Sequence, residues 1–141
     1  MDMSYQEKSV LGSLLAVGVV FGYYFASVLR DLGRPAFDGA SLPIGGLVLA
    51  VIAIVVIEIV YHIVLALESK PVPKDERDTL IASKAYRNAY FVLSAGIFVV
   101  MCAVMLAFKP FVTVNLVLFV WVLAELAQFA TQLFYYRRGL R

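Results

Sequence analysis

Histidine, cysteine and tryptophan occur once each in this chain of 141 residues. A lone cysteine, Cys102, leaves no intrachain disulfide framework, and its place inside an apolar run suits a small core or lipid-facing side chain. Charge is scarce as well: Asp, Glu, Lys and Arg make up 16% of the residues, against about 25% in ordinary soluble domains. A net charge of +2, spread over short intervals, gives no footprint for nucleic acid. There is no phosphate-cradling glycine loop, no Ser-His-Asp set, no CxxC pair and no haem motif. The chain is therefore expected to be no enzyme and to carry no cofactor. The only acid-base arrangement its residue types allow is one built inside the membrane on Glu58, His62 and Glu125.

Apolar surface is what the chain has in excess: 62% of its residues are hydrophobic and the mean hydropathy is +0.89. Its solvent is expected to be lipid. The fold class is all-α, an antiparallel bundle of four transmembrane helices in a single membrane domain over residues 1–141. The first span covers 9–29, which is 21 residues without a charge, enough to cross a hydrocarbon core of about 30 Å at 1.5 Å per residue. The second covers 42–67, with Gly45-Gly46 weakening its first turn. A polar loop follows at 68–79, where prolines keep the chain extended.

The third span covers 84–108 with an interfacial start near residue 75, where Asp75 reads as an N-cap with Glu76 and Asp78 in the first turn. Lys109-Pro110 makes so short a connection that the third and fourth spans must be antiparallel neighbours; the fourth covers 110–136. The start Met-Asp-Met-Ser-Tyr-Gln-Glu-Lys, with two acids against one lysine and no small-x-small site after Leu29, does not read as a cleaved signal peptide.

Orientation follows from the basic residues. Lys8, Lys70, Lys74, Arg77, Lys84, Arg87, Arg137, Arg138 and Arg141 fall on one side, and Arg30, Arg34 and Lys109 on the other. By the positive-inside rule both termini are expected in the cytoplasm.

Polar residues inside the spans are few and patterned. Glu58 and His62 stand four apart in the second span and so share a helix face, with Tyr61 beside them. Glu125, Gln128 and Gln132 repeat the arrangement in the fourth, with Trp121 one turn away. The topology puts Glu58 and Glu125 at one level in the membrane, with His62, Gln128 and Gln132 stacked one to two turns closer to the termini. A charge at that depth costs about 2.5–3.5 kcal/mol, so the carboxylates should face protein or trapped water.

Two readings stay open for this cluster: hydrogen bonds that only fix the packing of helices, or a site that exchanges protons with a cationic substrate, lined by Tyr61, Trp121 and Phe129 through cation–π contact. A metal site would need more ligands than one His and two Glu.

Two further surfaces invite partners. Gly18, Gly22 and Ala26 form a small-xxx-small stripe that lets another backbone approach, either a sister helix or a second copy in a homo-oligomer. The Asp75-Glu76-Arg77-Asp78 run either pairs with Lys74, Arg137 and Arg138 as a solvated network or docks a soluble protein. Glu68 is the expected ion-pair partner of Arg87.

The run Asp75-Glu76-Arg77-Asp78-Thr79-Leu80-Ile81, followed by Lys84-Ala85-Tyr86-Arg87-Asn88-Ala89-Tyr90, resembles a DERDxxI...KAxR signature, and Ala124-Glu125 and Tyr136-Arg137-Arg138-Gly139 extend the likeness. It is the signature of small bacterial four-helix membrane proteins of unknown function, the DUF2178 family. The resemblance implies an inner (plasma) membrane location and transfers no activity.

Overall fold

The computed structural model describes residues 3–34, 44–69, 73 and 75–139. It holds four helices: α1 (Tyr5–Leu32), α2 (Ile44–Glu68), α3 (Glu76–Met105) and α4 (Pro110–Arg138). Each is long and apolar enough to cross a membrane. A helix of 28 residues spans about 42 Å, more than the hydrocarbon core of about 30 Å, so its ends reach headgroup level.

Local signals explain where the helices begin and end. Ser4 caps α1 by accepting from the Glu7 N–H at 3.2 Å, and the Glu7 carboxylate accepts from the Ser4 N–H at 2.9 Å. Asp75 and Asp78 form the same reciprocal box at the start of α3, at 2.7 and 3.2 Å. Two of the orphan N–H groups at each start are thereby satisfied. α4 opens with Pro110 in its first turn, where the missing N–H costs nothing. It closes at Gly139, whose φ of 77° lies in a region that glycine enters freely.

The expected segment bounds are adjusted by these devices. α1 starts at Tyr5, one turn before residue 9, because the Ser4 box lies there. α3 runs unbroken from Glu76, so the interfacial start and the span are one helix. It ends at Met105 because the turn into α4 puts Ala107 at φ 54°. Residues 42 and 43, and Lys70 and Lys74 of the polar loop, lie outside the described residues.

Packing proceeds in a series: α2 lies on α1, α1 on α4 and α4 on α3, while α2 and α3 do not pack together. The core stripe of α1 is Val17, Phe21, Tyr24 and Val28, which meets Ala50 of α2 and Phe111 and Val122 of α4. Small residues bring α3 close to α4, with Ala85 and Ala89 buried and Gly96 facing Val120. Because α2 and α3 are separated, the expected Glu68–Arg87 ion pair is absent among the described residues. Between their charged ends the outer faces of α2 and α3 are apolar, from Ile52 and Ile59 to Phe98 and Met101. Only lipid can cover such faces while every helical backbone group stays internally bonded. The protein is a multi-pass membrane protein.

Candidate functional site

Two rungs of side-chain hydrogen bonds join α1 to α2. Ser13 Oγ donates to Glu58 Oε2 at 2.9 Å, and one turn along, Ser9 Oγ and His62 Nε2 lie 3.1 Å apart. Both pairs advance by four residues on both helices, which is why they stay in register. A third rung follows, in which the Tyr61 hydroxyl donates to the Lys8 carbonyl at 2.6 Å.

The ring of His62 turns its other nitrogen, Nδ1, back to its own helix, 2.9 Å from the Glu58 carbonyl and 3.3 Å from Glu58 Oε2. Glu58 Oε1 is left buried with no hydrogen-bond partner. That is the one such side-chain atom among the described residues, and a buried polar atom without a partner costs about 1–3 kcal/mol.

Around this ladder three cavities lie in series. The outermost, about 220 Å³, is lined by residues at the helix starts, Ser4, Tyr5, Asp75 and Arg77. Gln6, Asp78 and Tyr136 form a wall shared with the next cavity, a polar vestibule of about 240 Å³ to which all four helices contribute. Ser9, Ser13, His62, Gln128 and Gln132 face this vestibule. Phe129 in turn is the wall shared with the third cavity, about 210 Å³, between α1, α2 and α4. Its lining is nearly all carbon, from Val17, Phe21, Ile54, Trp121 and Val122, and from the stems of Glu58 and Glu125.

The residues singled out in the sequence thus divide between two chambers. Glu58, Glu125 and Trp121 line the apolar one; His62, Gln128 and Gln132 line the polar one. Glu58 connects them, because its carboxylate is held by Ser13 and faces His62, both of which line the vestibule. Tyr61 lines neither chamber. Its ring lies over Gly12 and its hydroxyl is held by the Lys8 carbonyl.

The Gly18 and Gly22 positions meet nothing within 4 Å, and Ala26 is exposed. The stripe is therefore not a seam for a sister helix of this chain. The Asp75–Asp78 run makes no ion pair with Arg137 or Arg138 among the described residues. Its ends are used in the capping box, and Arg77 donates to the Tyr136 carbonyl at 3.5 Å.

Three groups went unnoticed in the sequence. Ser9 and Ser13 carry the α1 half of the ladder, and serine alone is no signal because it is common at transmembrane helix contacts. The third is Asn115, 7% exposed, which accepts from the Tyr24 hydroxyl at 2.8 Å and donates to the Phe111 carbonyl at 2.8 Å. An amide in the apolar first half of α4 was itself the signal.

A family model described as "Predicted membrane protein (DUF2178)" matches residues 6–140. No curated protein and no solved structure matches.

Proposed function

The chain belongs to the DUF2178 family of predicted membrane proteins, and from that premise we propose a non-enzymatic membrane module whose polar ladder fixes α2 against α1. The observation that carries this reading is the register of Ser9 and Ser13 with His62 and Glu58, two rungs at the same spacing on both helices. Such a ladder holds one helix at one height and one rotation, which apolar packing in lipid specifies poorly. The module sits in the inner membrane with both termini in the cytoplasm. The exposed Asp75–Arg77 surface is its contact for a soluble partner, and the uncovered Gly18, Gly22 and Ala26 stripe is its seam for a second copy.

A second reading is favoured by the unpartnered Glu58 Oε1 and by the cavity that Glu58 shares with Glu125. In it the chain is a small proton-coupled transporter of a cationic substrate, and the two carboxylates alternate between proton and cargo.

One comparison separates the readings. Purified protein in liposomes is given a pH gradient and a cationic dye, and Glu58→Gln and Glu125→Gln are compared with the parent. Under the structural reading, flux stays at the protein-free baseline in all three, and Glu58→Gln shifts thermal stability. Gradient-driven uptake that vanishes in both variants establishes transport instead.

A further inference from the structure

We propose that the polar vestibule between the four helices is a binding site for a small organic ammonium ion, entered from the end of the bundle that carries both termini. The proposal goes beyond both readings above, since binding there stands whether or not anything crosses the bilayer.

The charge of the wall selects the ligand. Asp78 is the carboxylate that lines the vestibule, Glu58 lies directly behind Ser13, and neither Lys nor Arg is part of the lining. Inside the vestibule an anion would meet a negative wall, since the cationic Arg77 lines only the outer cavity, whereas a cation is attracted by both carboxylates. Tyr86, Phe129 and Tyr136 add aromatic rings to the same wall, which suits an ammonium group through cation–π attraction.

Specific hydrogen bonding is available as well. Gln128 and Gln132, one turn apart on α4, both line the vestibule. Their amides make no hydrogen bond to the protein among the described residues. Two amide oxygens on one helix face offer acceptors for ammonium N–H groups or for a ligand hydroxyl.

Size and access narrow the class. A volume of about 240 Å³ is below the roughly 300–1,000 Å³ of sites for drug-sized ligands, and equals about eight waters at 30 Å³ each. That admits an alkylamine or an amino alcohol. The route in is the outer cavity, which shares the Gln6, Asp78 and Tyr136 wall and is bordered by the helix caps Ser4 and Asp75. Those caps stand where helices longer than the hydrocarbon core reach the headgroup region. Entry at that level is open to a free amine and to an amine headgroup alike, and the site is proposed for the ammonium group that they share.

The test is calorimetric titration of the full chain in detergent with ethanolamine and with tetramethylammonium, using acetate and glycerol as the anionic and neutral controls. Both ammonium ions should bind saturably in the millimolar range and acetate should not bind. Asp78→Asn should weaken ammonium binding at least tenfold, with Asp78→Glu restoring part of it.

Because Asp78 also belongs to the α3 capping box, Gln128→Leu with Gln132→Leu is the second variant. It leaves that box intact and should weaken ethanolamine, whose hydroxyl needs an acceptor, more than tetramethylammonium. A further titration in nanodiscs compares bilayers with and without ethanolamine headgroups. Competition from that lipid assigns the ammonium site to the headgroup, and its absence assigns it to the free amine. Equal binding of acetate, no ammonium binding well above millimolar concentration, or full affinity in the Asp78→Asn protein overturns the site itself.

Discussion

The phenol of Tyr61 occupies the space that a Cβ on Gly12 would fill, and its hydroxyl reaches past Gly12 to the Lys8 carbonyl at 2.6 Å. The α1 helix already uses that carbonyl for the Gly12 N–H. The bond from α2 is therefore an additional one, made possible only because residue 12 has no side chain.

This relationship ranks the glycines. At Gly96 a Cβ would strike both methyls of the buried Val120, whereas at Gly12 it meets the far end of a longer side chain. Gly96→Ala should cost about 1–3 kcal/mol through overpacking, and Gly12→Ala less, because Tyr61 can swing away and lose one hydrogen bond. Gly18→Ala and Gly22→Ala meet nothing within the chain and should be neutral or gain up to about 1 kcal/mol from helix propensity. Urea or detergent-titration unfolding of the four variants checks the order. A loss at Gly22 equal to that at Gly96 would mean that the stripe is already covered in the purified protein.

The first rung of the ladder predicts coupling between Ser13 and Glu58. Ser13→Ala removes the donor to Glu58 Oε2 and leaves that carboxylate with the His62 contact alone. The cost should be about 1–3 kcal/mol. A double-mutant cycle with Glu58→Leu should return a coupling of roughly 0.6–1.7 kcal/mol, the range of hydrogen bonds between membrane helices. Additive losses would show that the two side chains do not act together.

Much of the architecture was legible because it rests on length and charge. Four long apolar runs with polar connections need no tertiary information to read. The face shared by Glu58 and His62 was legible too, since a spacing of four fixes it. What faces them was not: α1 offers Ser4, Ser9, Ser13 and Ser27, and only the rotation of α1 against α2 decides which hydroxyls arrive. The same rotation decides that Gly12 packs and Gly18 does not, although the longer stripe runs through Gly18. Tyr61, adjacent to His62 in sequence, sits about 100° round the helix from it, and that angle takes it out of both chambers.

Tyr24 and Asn115 give a third prediction. Both are buried, and Asn115 bridges α1 to its own helix by accepting from Tyr24 and donating to the Phe111 carbonyl. Asn115→Ala strands the Tyr24 hydroxyl and should cost about 1–3 kcal/mol. Tyr24→Phe combined with Asn115→Leu removes both polar partners and should recover most of that loss, because a matched apolar pair needs no hydrogen bond. Thermal unfolding in one detergent is sufficient to compare the three. A double variant less stable than Asn115→Ala would contradict the argument.

Phe129 is the wall between the polar vestibule and the apolar chamber that holds the Glu58 and Glu125 stems. Truncation to alanine joins the two spaces and gives water a way past Ser13 to the unpartnered Glu58 Oε1. A water-soluble carbodiimide should then modify Glu58 several-fold faster in Phe129→Ala than in the parent, as read by mass spectrometry of the labelled peptide. A membrane-soluble carbodiimide arrives through lipid and should show a much smaller change. Phe134→Ala, an exposed position on the same helix, controls for general loosening of α4 and should leave both rates unchanged. If the water-soluble reagent labels Glu58 equally in parent and Phe129→Ala, the aromatic ring is not what keeps the chambers apart, and the carboxylate is reached by another route.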